Sequence, residues 1–188
     1  MENKVKFNLL NVHYAPLTIG DNGTPSWGTP IPIPGAVTLT MSAAGNVTSF
    51  YADGRKYYVS TSNNGYSGDL EIALIPDSFL KDVFKMKEDT SKKILSEYSN
   101  VESVPFALLF QFDGDSKGTR HVLYNCTATR PQINGSTNTE SKTPQTETIT
   151  LDAAPMENGL VRSRTTAETS DTDYNEWFSA VWKPTEAA

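Results

Sequence analysis

The sequence predicts a mainly β protein: a sandwich or barrel with one short flanking helix, a long Pro/Gly-rich loop or arm, and a C-terminal tail. About eight segments alternate apolar and polar residues with a period of two, which is typical of half-buried strands. Gly, Pro and Asn separate these segments at short intervals. Only residues 77–84 and the tail show helical spacing. The 188 residues suit one domain, which we place at 1–165, followed by a linker and tail segment at 166–188.

The charge balance argues against a general nucleic-acid binder. Sixteen basic residues stand against twenty-two acidic ones, a net charge of −6, whereas such binders need a basic face. The single cysteine, Cys126, precludes an internal disulfide bond. No apolar run has the length of a signal sequence or a membrane span. We therefore expect synthesis in the cytoplasm and no membrane partner.

A proline-rich segment follows the first strand, which we predict at residues 4–14. Residues 16–35 contain five prolines and four glycines, so they predict an extended arm or loop rather than a helix or a central strand. Structureless connections of this length are uncommon and usually functional or disordered. Because Trp27, Ile31 and Ile33 are apolar, we expect the arm to dock on a neighbouring subunit through them.

Two strands and a hairpin lead into the predicted helix. Residues 36–42 form a strand, and residues 50–61 form a hairpin turned at Asp53-Gly54. In the next strand, apolar residues alternate with Asp69 and Glu71 up to Pro76, which ends it. Asp77 is then expected to cap the helix. The apolar residues at helical spacing are Phe79, Leu80, Val83 and Phe84.

The second half of the chain continues the β pattern. The charged segment 85–103 suggests an exposed loop containing some helix. Strands are predicted at 104–112 and 119–130, and a polar loop at 131–144. Two further strand segments, QTETITLDAAP and GLVRSRT, complete the β-rich part.

The tail predicts a second amphipathic helix after a polar linker, residues 166–173. Asp173 and Glu176 have the spacing of a capping box. We expect this helix to dock on an adjacent subunit, with docking on its own barrel or formation of an edge strand as alternatives. Its apolar face consists of Tyr174, Trp177, Phe178, Val181 and Trp182.

Asp69 and Glu71 lie one residue apart, so both side chains fall on one side of a strand. Two such acids could form an acid–base pair, but the solvated side of a half-buried strand is the favoured interpretation. The turn DGDSKG begins like a calcium loop. However, Tyr124 occupies the twelfth position, where such loops carry a bidentate Glu, so the turn predicts only a hairpin.

The remaining reactive residues form no recognisable constellation. His13 and His121 are the only histidines, too few for a typical zinc site with the distant Cys126. Cys126 lies among apolar residues and is interpreted as a core residue. No nucleotide-binding or hydrolase motif occurs in a usable context. We expect no catalytic residue, no metal and no cofactor, and hence a binding or structural protein rather than an enzyme.

Three blocks resemble the major tail protein, or tail tube protein, of long-tailed bacteriophages and prophages of Gram-positive bacteria. The blocks are YYVSTSNNGYSGDLEIALIPDSFLKDV, VPFALLFQFDGDSKGTRHVLYNCTATRP and PQTETITLDAAP. The resemblance covers roughly residues 1–165 and lies in the order and spacing of the blocks. Some relatives carry an added immunoglobulin-like domain, for which this chain is too short.

The resemblance implies a structural virion protein that self-assembles into hexameric rings, stacked into a viral tail tube. Its implied partners are other tail proteins (tape measure, tail terminator and distal tail proteins) and double-stranded DNA that passes through the lumen during ejection without specific binding. Asp69 and Glu71 could line that lumen, and Trp27, Ile31, Ile33, Trp177 and Trp182 could lie at subunit interfaces. A β-sandwich carbohydrate-binding or host-adhesion module of a virion is the alternative.

Overall fold

The computed structural model describes residues 2–137, 140 and 143–184. Within them the chain is mainly β, as the sequence predicts, with thirteen strands and two short helices. The strands are β1 Lys6–Ile19, β2 Pro25–Trp27, β3 Ile31–Pro32, β4 Ala36–Ala43, β5 Val47–Ala52, β6 Arg55–Thr61, β7 Tyr66–Ile72, β8 Lys87–Asp89, β9 Ile94–Ser96, β10 Phe106–Gly114, β11 Thr119–Ala128, β12 Glu147–Ala153 and β13 Arg162–Arg164. The helices are α1 Asp77–Asp82 and α2 Asp171–Glu176.

Nine strands form one antiparallel sheet in the order β2-β1-β10-β11-β12-β7-β4, with β3 paired to β1 and β13 paired to β11. The sheet curls, so that β4 comes back against β1 without pairing with it. Two further hairpins, β5–β6 and β8–β9, stand outside this sheet. The result is an incompletely closed sandwich or barrel.

The main core lies on the concave side of the curled sheet, and α1 covers part of it. Phe79 and Val83 are buried there, and the Phe79 ring meets Tyr14 edge to face at 5.0 Å. Tyr14 Oη donates a 2.8 Å hydrogen bond to Asp82 Oδ2, which fixes α1 to β1. The helix predicted near residue 77 is confirmed. Asp77 is its first residue rather than its cap, a position that favours an acid at the positive end of the helix dipole.

A second, smaller core lies on the opposite side of β1, β10 and β11. Ala15, Leu109 and Val122 face it from the sheet. The tail covers this side, because Trp177 and Val181 are buried against those residues. The sheet is therefore apolar on both sides where these strands meet.

Several boundaries differ from the expected ones. β1 runs through Pro16, because the Pro16 carbonyl accepts from Gly28 N at 3.0 Å and Leu17 N donates to Pro105 O at 2.8 Å. The hydrogen bond that proline cannot make is thereby bypassed. Residues 85–103 contain the β8–β9 hairpin instead of a helix. The predicted loop at 131–144 includes residues 138, 139, 141 and 142, which lie outside the described part of the chain.

Candidate functional site

Asp69 and Glu71 lie on the side of β7 that faces away from the core. Each carboxylate accepts a threonine hydroxyl: Thr150 Oγ1 to Asp69 Oδ1 at 2.7 Å, and Thr146 Oγ1 to Glu71 Oε1 at 2.6 Å. Hydroxyl donors of this kind hold a carboxylate in place without offering it a proton-transfer partner. The geometry therefore matches the solvated side of a strand rather than an acid–base pair.

The two acids belong to a wider sheet surface, which we call the acidic face. Neighbouring residues on β4, β7 and β12 align across it in three rows. The rows carry three carboxylates, six threonine or serine hydroxyl groups, and no Lys or Arg; they are Ser42–Ser67–Asp152, Thr40–Asp69–Thr150 and Thr38–Glu71–Thr148. Eight of the nine residues are exposed and Glu71 is half-buried. A surface with carboxylates and no basic residue repels anions.

β4 ends the sheet beside the acidic face. It pairs only with β7 among the described strands, so its other edge has free backbone groups. The sequence of β4, AVTLTMSA, contains neither proline nor a charged residue. Those are the usual devices that prevent an edge strand from pairing with another chain. β4 is therefore open to a further strand.

The β5–β6 hairpin projects from the end of this sheet. β4 leads into β5 and β6 into β7. Ala44 N donates to Gly65 O at 2.9 Å and Asn64 N donates to Ala44 O at 2.8 Å, so the pairing continues between them. The predicted turn at Asp53-Gly54 is confirmed, since both residues have positive φ angles of 53° and 71°, as in the favoured two-residue turn. Six strand residues at about 3.3 Å each give a projection of about 20 Å.

Aromatic side chains stand on both sides of this hairpin. Phe50 and Tyr58 form a cross-strand pair on one side, and Tyr51, the next residue of β5, lies on the other. Tyr57 lies at a shift in the pairing register, between Lys56 and Tyr58. Each of the four aromatic residues is between 59% and 65% exposed. These four rings belong to neither hydrophobic core. Adjacent apolar residues in FY and YYV break the polar–apolar alternation, which is the sequence signal of a ribbon without a buried side.

The proline-rich segment lies on the chain's own sheet, which differs from the expected arm on a neighbour. Ile33 is 3% exposed in the main core, and Ile31 packs against the same core. Trp27 pairs with Leu17, and its Nε1 donates to Tyr124 O at 2.9 Å. Short edge strands tolerate proline, which explains how β2 and β3 form here.

The tail also lies on its own sheet rather than on an adjacent subunit. Trp177 is 4% exposed and its Nε1 donates to His121 O at 3.3 Å. Trp182 stacks on it at 6.1 Å and remains 38% exposed. The cap of α2 is Ser170, whose hydroxyl accepts from Asp173 N at 3.1 Å, instead of the expected Asp173. Residues 185–188 of the predicted tail lie outside the described residues.

Cys126 is a core residue, as predicted. It is fully buried, and burial raises the pKa of its thiol to about 12. A thiol that stays protonated is a poor nucleophile. His13 and His121 lie on different strands, each stacked on a phenylalanine ring. Among the described residues, no group of three or more His, Cys, Asp or Glu side chains has an arrangement suited to a metal ion.

No protein-family model matches the chain, and no curated protein matches it in sequence. In the part of the chain that the structure describes, no helix has the length and apolar character needed to cross a membrane.

Proposed function

We propose that this chain is the subunit of a bacteriophage tail tube, a structural virion protein that assembles into stacked rings, six copies to a ring. The observation that carries the proposal is the β5–β6 hairpin. A two-stranded ribbon alone is at best marginally stable in water, and this one presents aromatic residues on both sides with no partner from its own sheet. A second copy of the chain would supply the missing surface.

The free edge of β4 supports the same assembly. Pairing of β4 with a neighbouring chain would satisfy its backbone groups and remove the edge. The acidic face would then continue from one subunit to the next. A closed ring needs such a repeated contact between different surfaces of identical subunits.

The charge of the acidic face suits a channel for DNA. Lys and Arg side chains that neutralise phosphates bind DNA through counterion release. Asp69, Glu71 and Asp152 would repel phosphates instead, so DNA would pass without being held. On this proposal the face lines the lumen, and the tape measure, terminator and distal tail proteins are the further partners that the resemblance implies.

A second candidate function rests on the same hairpin. Exposed tyrosine and phenylalanine rings can stack on sugars, so the ribbon is also suited to a carbohydrate-binding or adhesion module. The two functions differ in what the rings contact, namely another copy of the chain or a glycan.

Sedimentation velocity and negative-stain microscopy over a wide concentration range test the proposal. We expect rings or tubes from the natural chain, and only monomers from Phe50→Ser combined with Tyr58→Ser, with the same melting temperature. Tyr98→Ser removes an exposed tyrosine elsewhere and should still assemble. A natural chain that stays monomeric at every concentration, also with tail initiator proteins present, contradicts the proposal. Hairpin-dependent binding on a glycan array by such a monomer establishes the second candidate.

A further inference from the structure

An open cavity of about 460 Å³ lies where the curled sheet fails to close, between the start of β1 and the free edge of β4. Leu39 and Met41 line it from β4, and Phe110 and Phe112 line it from β10. Its size falls within the range of small-molecule sites, which are mostly apolar with a few convergent polar groups. We call this cavity the seam cavity.

The charged residues around the seam cavity are all basic. Lys4, Lys6, Arg162 and Arg164 line it together with His121, and no Asp or Glu is among its lining residues. Strand pairing places Arg164 opposite His121 and Arg162 opposite Leu123, so these arginines share the side of the sheet that faces the cavity. None of the four cations makes an ion pair with a described residue. The chain as a whole is acidic, so this excess of positive charge is a local feature of the cavity.

Aromatic rings hold two of these cations in place. Lys6 Nζ lies 4.7 Å from the centre of the Phe112 ring, and the Arg162 guanidinium lies 5.2 Å from that of Tyr66. The His121 ring is stacked on Phe110 with the two rings 5.0 Å apart and nearly parallel. The positive groups are thus positioned before any ligand arrives, which lowers the entropic cost of binding.

The pKa of His121 reflects the same positively charged surroundings. Burial, and then the positive charges of Arg162, Arg164 and Lys6, lower its pKa to about 4. The imidazole is therefore neutral at pH 7, and one of its ring nitrogens can donate a hydrogen bond. An anion placed among these three cations would offset their charge and raise this pKa.

We infer that the seam cavity binds a small anionic amphiphile, with its carboxylate or phosphate head among Lys6, Arg162 and Arg164 and its apolar body against Phe110 and Leu39. Arginine suits carboxylate and phosphate because its planar fork forms two parallel hydrogen bonds to either group. The apolar wall supplies the affinity that exposed charges alone do not. The site shares β4 with the proposed assembly, but the inference does not require that assembly.

Calorimetric titration of the whole protein with decanoate, below its micelle concentration, tests the inference. We expect saturable binding at one equivalent, similar binding of decyl phosphate, and binding of neutral decanol that is weaker by about tenfold or more. Bound decanoate should also raise the pKa of His121, as measured by NMR. Decanol that binds as tightly as decanoate, or decanoate that shows no saturable binding, overturns the inference.

Variants locate the site. Arg162→Gln with Arg164→Gln should weaken decanoate binding by about tenfold or more, with the circular dichroism spectrum and melting temperature checked in parallel. Lys85→Gln with Lys92→Gln removes two exposed positive charges outside the cavity and should leave binding unchanged. Lys6→Gln provides a second test if the arginine variant does not fold. Unchanged affinity in a folded cavity variant overturns the assignment.

Discussion

The guanidinium of Arg120 lies 3.8 Å from the centre of the Tyr174 ring and also donates a hydrogen bond to the Tyr174 carbonyl oxygen. The Tyr174 hydroxyl in turn donates to Gly118 O at 3.0 Å. Lys117 Nζ lies 4.3 Å from the same ring. Tyr174 is therefore held through its ring, its hydroxyl and its backbone by Arg120 of β11 and by the two residues that precede this strand.

Arg120→Met should loosen the tail without unfolding the main core. The change keeps most of the side-chain length but removes the cation–π contact and the hydrogen bond, at a cost of about 1–3 kcal/mol. Denaturant unfolding measures that cost, and limited proteolysis should show faster cleavage in the tail. Lys92→Met, at an exposed site, is the matched control. Equal proteolysis of Arg120→Met and the natural chain would contradict the role given to Arg120.

The two stacked tryptophans of the tail should differ in their effect on stability. Trp177→Ala should lower the free energy of unfolding by about 3–5 kcal/mol, as expected for a buried aromatic residue. Trp182→Ala should lower the free energy of unfolding markedly less, because that ring is partly exposed to solvent.

Truncation after Thr166 should lower the melting temperature of the monomer by several degrees. A truncated monomer with an unchanged melting temperature would instead support docking of the tail on an adjacent subunit.

His121 should make the protein less stable in mild acid. Its pKa falls from an ordinary 6.5 in the unfolded chain to about 4 in the folded one. Between pH 6.5 and about pH 4, His121 is protonated in the unfolded chain but stays neutral in the folded chain. The stabilising contribution of the neutral imidazole is therefore complete above pH 6.5 and is lost as the pH falls through about 4. The loss is on the order of 3 kcal/mol. His121→Gln should flatten this part of the stability profile relative to the natural chain; identical profiles would rule the effect out.

Asp69→Asn combined with Glu71→Gln should leave folding and assembly intact. The amide oxygens can accept the same threonine hydroxyls, and neither acid is in the core. If the acidic face lines the lumen of a tail tube, as proposed, phage particles built with this variant should eject DNA more slowly, because the lumen would lose two negative charges per subunit. The ejection rate, measured in bulk by dye exclusion, is the readout. Unchanged ejection would place these acids outside the lumen or show that Asp152 suffices.

The strands whose polar–apolar alternation was strong could be predicted from the sequence. The β7 strand, the Asp53-Gly54 turn and the apolar β10 strand lie where the alternation and turn chemistry place them. The strand that was expected to continue up to Pro76 ends at Ile72, so Leu74 is exposed. Local patterns do not specify where a strand stops when tertiary contacts decide it.

The placement of the connecting segments could not be predicted, because it depends on contacts between residues far apart in sequence. Ile33 is buried where its backbone N–H donates to Val12 O. Trp177 is buried against a sheet in which its hydrogen-bond partner, His121, lies more than fifty residues earlier in the chain. Composition identified both segments as apolar and in need of a partner surface. It did not reveal that the partner surface was their own sheet.

The continuous ribbon from β4 through the hairpin to β7 has a mechanical consequence. β7 lies between β12 and β4 in the sheet, and ladder hydrogen bonds run perpendicular to the strands. Tension applied at the hairpin tip along the strand axis would therefore load many of these bonds in shear at once rather than unzip them singly. A neighbouring subunit bound at the hairpin tip would transmit tension to β7 within the sheet. Stretching an assembly of this kind would therefore distribute the force over the whole sheet of each subunit.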